Sequence, residues 1–96
     1  MKLVNLTELK QHDVGIVRRL DESCLLNKIR LSAGEVESRL LDMGIIEGAQ
    51  VTVMHIGRWG REPIAIRINN SSSLIALRKN EAAIILLEMT QNNGSK

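Results

Sequence analysis

The chain of 96 residues contains no phenylalanine and no tyrosine, and Trp59 is its one aromatic residue. Any core must therefore be aliphatic, and 30 residues of Val, Ile and Leu are available for it. The shortage of rings also argues against RNA and single-stranded DNA as ligands, because such sites stack bases on aromatic side chains. The one cysteine, Cys24, excludes an internal disulfide and fits a reducing compartment. The longest apolar run, Ala82 to Leu87, is six residues, against about 20 for a bilayer span. The start, Met1-Lys2-Leu3-Val4-Asn5, has no apolar run of signal-peptide length. These features predict a cytoplasmic protein that does not insert into a membrane and meets one only through a partner.

Basic and acidic residues nearly balance, 13 to 11. The net charge is +2, spread along the chain, which serves solubility and is not a nucleic-acid footprint. Arg18-Arg19 and Arg58 with Arg61 read as solvated strand ends and loop tips.

Catalytic machinery is missing as well. His12 and His55 are far apart in sequence, Cys24 has no histidine near it, and CxxC, HExxH, GxSxG and phosphate-loop patterns do not occur. The expectation is no enzyme, no catalytic residue and no cofactor. For metals, His55 lies on a strand with Val51 and Val53, where it is either a ligand facing a cleft or a rim histidine with a backbone partner. Cys24 offers soft sulfur, yet a lone cysteine more commonly packs as a small hydrophobe. Glu35 and Glu37, two apart on a helix, do not face each other. No ligand set converges by spacing, so no metal site is predicted.

What is present reads as short strands. Leu3–Leu6 and Val14–Leu20 form the first two, with a helical turn at Glu8–Lys10 capped by Thr7 between them. Gly15 allows the second of them to bend or bulge. Residues 21–31 have no clean period and read as an irregular loop over the core or as a partner surface. Ser32 with Glu35 has the capping-box form and opens a helix over about 33–43. Val36, Leu40 and Met43 share its buried face, with Leu41 beside them. Gly44 is a left-handed helix stop, with a contact from Ile45 back to Leu40, and Gly48 turns the chain into the next strand. Strands follow at 49–56, 63–69 and 74–79, then a turn at 80–82 and a last strand at 83–88. In the second of these, Ile64, Ile66 and Ile68 alternate with Ala65, Arg67 and Asn69. Pro63 takes its first position, where proline is tolerated, and Leu77 pairs with Ile75 in alternation to reach the core. Residues 1–89 thus form one domain and 90–96 a flexible tail. Five to six short strands with one inserted helix predict a mainly β, SH3-like barrel.

Three runs carry a family resemblance: Arg39-Leu40-Leu41-Asp42-Met43-Gly44-Ile45, Glu47-Gly48-Ala49-Gln50-Val51-Thr52-Val53, and Ile75-Ala76-Leu77-Arg78-Lys79-Asn80-Glu81-Ala82-Ala83-Ile84. With Pro63-Ile64 and the opening Leu6-Thr7-Glu8-Leu9, they resemble the FeoA family, ferrous iron transport protein A. The resemblance implies a cytoplasmic SH3-like barrel that accompanies FeoB, a membrane ferrous-iron transporter with a cytoplasmic GTPase domain, and binds or modulates it. The fold is also similar to the C-terminal domain of iron-dependent repressors of the DtxR type, which makes a transition-metal-sensing module, using His55 and Cys24, the alternative function. The chain departs from the family in one loop: where Gly-Asp-Pro is common, it has Arg61-Glu62-Pro63. For partner docking the candidates are Trp59 with Arg58 and Arg61 flanking it, then Leu25 and Leu26. Trp59 either meets a partner or folds back over one end of the barrel.

Overall fold

The β-branched runs form strands in the computed structural model, which describes residues 2–24 and 34–91. The strands are β1 (Leu3–Asn5), β2 (Val14–Leu20), β3 (Gln50–Ile56), β4 (Ile64–Ile68), β5 (Ile75–Leu77) and β6 (Ile85–Gln91). Helix α1 (Glu35–Asp42) lies between β2 and β3, and a four-residue helix, α2 (Lys79–Ala82), between β5 and β6. One antiparallel sheet joins the strands in the order β1-β6-β2-β3-β4-β5. Its inner face supplies Val17, Val51, Val53, Ile66, Leu77 and Leu87, each fully buried, and Leu40 and Ile45 join them from the helical side. The core is aliphatic throughout, as the missing aromatics require.

β4 alternates as its sequence does: Ile64, Ile66 and Ile68 are buried, Ala65 and Arg67 only partly so. β3 breaks its alternation. Val53 pairs with Ile66 and His55 with Ala65, so Met54 is an extra residue without a counterpart on β4. Such a bulge re-aims the side chains beyond it. Val51 and Val53 are buried while His55 is exposed, so His55 does not share their face. In β2, Gly15 sits at a register shift beside β6, where a Cβ would come within 3.1 Å of the Leu87 Cβ.

Helix α1 ends as expected. Gly44 has φ 91, its N–H donates to the Leu41 carbonyl (3.0 Å), and the Ile45 N–H donates to the Leu40 carbonyl (3.0 Å). This is the Schellman pair, with Ile45 and Leu40 both fully buried beneath it. Gly48 has φ 92 and donates to the Val17 carbonyl at 2.7 Å, handing the chain to β3.

The helix start differs. Ser32 and Ala33, proposed as cap and first helical residue, lie outside the described residues. The cap position belongs to Gly34, at φ 82, just before the helix, where glycine is favoured rather than costly. Gly34 offers no side-chain acceptor. The Glu22 carboxylate, 12 residues upstream, accepts the N–H of Gly34 (2.8 Å) and of Glu37 (2.9 Å) instead. A helix's first N–H groups need acceptors, and a carboxylate there also meets the positive end of the dipole.

The bounds of four further elements also move. The turn expected at Glu8–Lys10 is a 3-10 turn at Leu6–Glu8, capped by Asn5 and not Thr7. Asn5 Oδ1 accepts from the Thr7 N–H and hydroxyl, and its Nδ2 donates to the Ala83 carbonyl. The tighter turn lets Leu6 and Leu9, three apart, both reach the core. The last strand starts at Ile85, because Ala83 and Ile84 complete the turn after α2. It runs on to Gln91, because β6 pairs with β1 on one side and β2 on the other, which takes Thr90 and Gln91 from the expected tail. Pro63 precedes β4, which begins at Ile64, and β5 is confined to Ile75–Leu77.

Candidate functional site

Between β3 and β4 the chain makes a hairpin loop held at its base at three points, one within its own neck and two on other segments. The Gly57 N–H donates to the Pro63 carbonyl at 2.9 Å, closing the neck. A Cβ on Gly57 would stand 1.8 Å from the Glu62 carbonyl oxygen, so no other residue fits there. Glu62 accepts the Lys79 N–H at 2.6 Å, tying the loop to the start of α2. Arg61, in the left-handed region at φ 59, donates from Nη2 to the carbonyls of Leu9 (3.0 Å) and Thr7 (3.3 Å). The position where the related family often has glycine is thus one that demands glycine-like backbone, and the arginine is anchored by its own side chain.

Above this base the tip projects. Trp59 is 89% exposed, and Arg58 and Gly60 beside it are exposed. The ring therefore does not fold back over the barrel end. Arg61, expected to flank the indole, instead turns its guanidinium to the Leu6–Glu8 turn and positions the loop. Trp59 and Arg58 remain as the presented pair. Leu25 and Leu26, the other docking candidates, lie outside the described residues.

A second feature sits against the opposite flank of β2. A cleft of about 300 Å³ is lined by Val17, Arg18, Arg19, Leu20, Glu37, Leu41 and Glu47. Leu41, expected beside the buried face of α1, is 43% exposed at its rim. Arg18 is paired with Glu88 on β6, 2.7 Å from its Nη2.

At the far end of β2, the Asp21 carboxylate accepts the Ser23 hydroxyl (2.6 Å) and N–H (3.0 Å), with Arg19 at 3.7 Å. These bonds, chiefly the hydroxyl, hold its pKa below the ordinary value of 3.8. The Glu37 and then the Gly34 N–H lower that of Glu22 in the same way. Cys24 follows here in a short 3-10 turn, half-buried. His55 is on β3 near the other end of β2, since Val14 pairs with Thr52. The fold therefore separates the two residues proposed for metal sensing. Among the described residues, no group of three or more His, Cys, Asp and Glu could hold a metal ion.

Two side-chain roles escaped sequence reasoning: the helix cap supplied by Glu22 and the anchoring of the loop by Arg61. Glu22 gave no signal, because the N–H donors it accepts from lie across an 11-residue gap that no local capping rule spans. Arg61 did show one: an arginine at a loop position that glycine commonly fills.

A short, coiled antiparallel sheet with one inserted helix and an aliphatic core is the architecture of a small SH3-like barrel. The family model of the FeoA domain matches residues 4–89, and the chain belongs to that family. No curated protein sequence matches it. Among solved structures it is similar to a FeoA-like protein from Clostridium acetobutylicum, with a TM-score of 0.74, 25% identity, and coverage of 96% of this chain and 92% of that one. Stenotrophomonas maltophilia FeoA, solved with zinc and described as an SH3 domain protein, gives 0.68 at 24% identity, over 88% and 89% of the two chains. A manganese-dependent transcriptional repressor in complex with manganese gives 0.76 at 14% identity, covering 94% of this chain and 38% of the repressor. The barrel thus recurs as one part of a longer regulator. No helix among the described residues is long and apolar enough to cross a membrane.

Proposed function

We propose that this protein is a non-enzymatic, cytoplasmic accessory of ferrous iron uptake that docks on a FeoB-type membrane transporter and modulates it. Membership of the FeoA family supports the pathway, and the Stenotrophomonas relative is described as a candidate ferrous iron transport activating factor. The observation that carries the docking surface is Trp59, an indole 89% exposed on a loop whose base is fixed at three points. A rigid base lowers the ordering cost of binding, and Trp and Arg are the residues most enriched at interface hot spots. Direct insertion of the protein into the bilayer and nucleic-acid binding form no part of this reading. The alternative, a metal-sensing module built on His55 and Cys24, is weakened by their placement at opposite ends of β2.

The test is a fluorescence titration of the protein with the cytoplasmic part of a FeoB-type transporter, with and without guanine nucleotide. Docking at the hairpin shifts the emission of Trp59. Binding without any shift moves the interface elsewhere. No binding in either nucleotide state, nor to the full transporter, removes the proposal.

A further inference from the structure

Arg67 stands apart from the other arginines among the described residues. Arg18 pairs with Glu88, Arg19 with Asp21 and Arg39 with Glu81, and Arg61 donates to two carbonyls. Arg58 and Arg78 are exposed to solvent. Arg67 is half-buried, and its Nε is closed to solvent with no hydrogen-bond acceptor. Its guanidinium makes no ion pair or hydrogen bond with any described residue. A buried donor left unpaired is destabilising, the more so on a cation, and native proteins leave few of them.

The fold puts this cation on a sheet face that has no acid nearby. Ile66 and Ile68 are buried in the core, so Arg67 between them is on the outer face of β4. Thr52, between fully buried Val51 and Val53, is on the outer face of β3, directly opposite Arg67 in the register. Opposite residues on one face have Cβ atoms about 5 Å apart, so the threonine and arginine side chains are neighbours. Thr52 is only 8% exposed, and its hydroxyl bonds to no described residue. Further along the same face, Ala65 pairs with His55 on one side and Ala76 on the other. None of these residues carries a negative charge, so an acceptor for Arg67 has to come from another molecule.

We propose that Arg67 and Thr52 receive one carboxylate from an acidic side chain, Asp or Glu, of a protein partner. The guanidinium edge formed by Nε and one Nη carries two parallel N–H groups that match the two oxygens of a carboxylate. The threonine hydroxyl is a third donor. Turning outward to meet the partner breaks no hydrogen bond, since the arginine side chain makes none, and it gives Nε the acceptor it lacks. One guanidinium and one hydroxyl match the single charge and two oxygens of a carboxylate better than a phosphate, which has more of both. The site is at the end of β4 away from the hairpin tip, and it does not rest on docking through Trp59.

The test is NMR of the full chain, following the arginine Nε–H signals during titration with a tripeptide of alanine, glutamate and alanine. Both peptide ends are blocked, so its side chain is the one carboxylate. The Arg67 signal should move, and should saturate at a peptide concentration at least about tenfold below that needed by exposed Arg58, a factor that one extra charge-assisted bond supplies. The same peptide with glutamine in place of glutamate should leave Arg67 unmoved. Arg67→Lys keeps the charge and the stem but not the planar fork, and Thr52→Val keeps the β-branched shape without the hydroxyl. Read from the backbone amides of β3 and β4, binding should weaken about tenfold in the first and about threefold in the second. Saturation of Arg67 no earlier than Arg58, an equal response to the glutamine peptide, or parent-like binding by either variant would overturn the inference. So would tighter binding of inorganic phosphate than of the glutamate peptide.

Discussion

The join from α1 to β3 and the hairpin from β3 to β4 look alike in sequence. Each is short, each has two glycines, and each has a large apolar residue between them. Their fates are opposite. In the join, Gly44 and Gly48 are both left-handed; the Leu41 and Leu40 carbonyls at the helix end accept from the Gly44 and Ile45 N–H groups, and Gly48 donates to the Val17 carbonyl. Ile45 is driven to full burial against Leu40, while Ile46 is left at the surface. In the hairpin, Gly57 lets the two sides of the neck touch, while Gly60 at φ 67 turns the tip outward. Trp59 has nothing to fold onto. What separates the two is where the satisfying bonds fall. The join is closed by its own helix at Gly44 and Ile45 and by β2 at Gly48, along its whole length. The hairpin is held from outside, by the Leu9 carbonyl and the Lys79 amide, at its base only. A loop anchored below its tip is suited to presenting a side chain, and a loop closed along its length is suited to sealing a core.

The largest expected effect lies on the sealed side. Leu40 is fully buried and carries the carbonyl that ends the helix. Leu40→Ala should destabilise the fold by about 2–5 kcal/mol, since the rigid neighbours cannot close the cavity. Urea denaturation measures it, and a midpoint equal to the parent's would mean the join does not seal the core. Next comes Gly44→Val, with a loss of about 1–3 kcal/mol from a β-branched residue at φ 91. Nothing lies within 4 Å of a Cβ there, so Gly44→Ala should show a loss of about 1–2 kcal/mol from backbone strain alone. Equal stability of Gly44→Ala and the parent would refute the left-handed stop.

The sealed side was also the more legible in sequence. A glycine following an apolar face at helical spacing is a local signal, as is the Ile64-Ile66-Ile68 alternation of β4. Contacts that close over long separations were not legible. The Met54 bulge turned His55 away from the face that strict alternation assigned to it. Asn5 took the cap expected of Thr7 because its amide also reaches Ala83, 78 residues on. Leu41 fell outside the apolar stripe because α1 is only eight residues long and packs along one narrow face.

Glu22 is the sharpest of these long-range cases, and it predicts a pH signature. Its folded pKa lies below the ordinary value of 4.5, because the Glu37 and Gly34 N–H groups bond the charged form. The stabilisation is therefore complete above the unfolded value and is lost as pH falls through the lowered folded value. Glu22→Gln should melt below the parent from about pH 7 down to about pH 5. The gap should then close as the solution is acidified past 4.5. A gap that persists unchanged in acid would show that the carboxylate charge is not what caps α1.

Trp59→Ala should have the smallest effect on stability and, if the hairpin is the docking surface, a clear one on binding. An indole 89% exposed buries almost no area in the free protein, and surface substitutions of this kind change stability by no more than about 0.5 kcal/mol. The anchors of the loop, Gly57, Arg61 and Glu62, are untouched by the change. Affinity for the transporter's cytoplasmic part should nevertheless fall by more than about 1 kcal/mol, the threshold that marks a contributing interface residue. Arg61→Ala separates presentation from contact. It leaves the indole in place and removes the bonds to Leu9 and Thr7, so any loss of affinity should come with a loosened loop, read as faster amide exchange at residues 58–62. If Trp59→Ala destabilises the chain strongly, the ring is packed in solution and the contrast between sealed join and open hairpin fails. If it is neutral in both measurements, the hairpin is open but unused, and the exposed Leu41 at the rim of the β2 cleft becomes the surface to test.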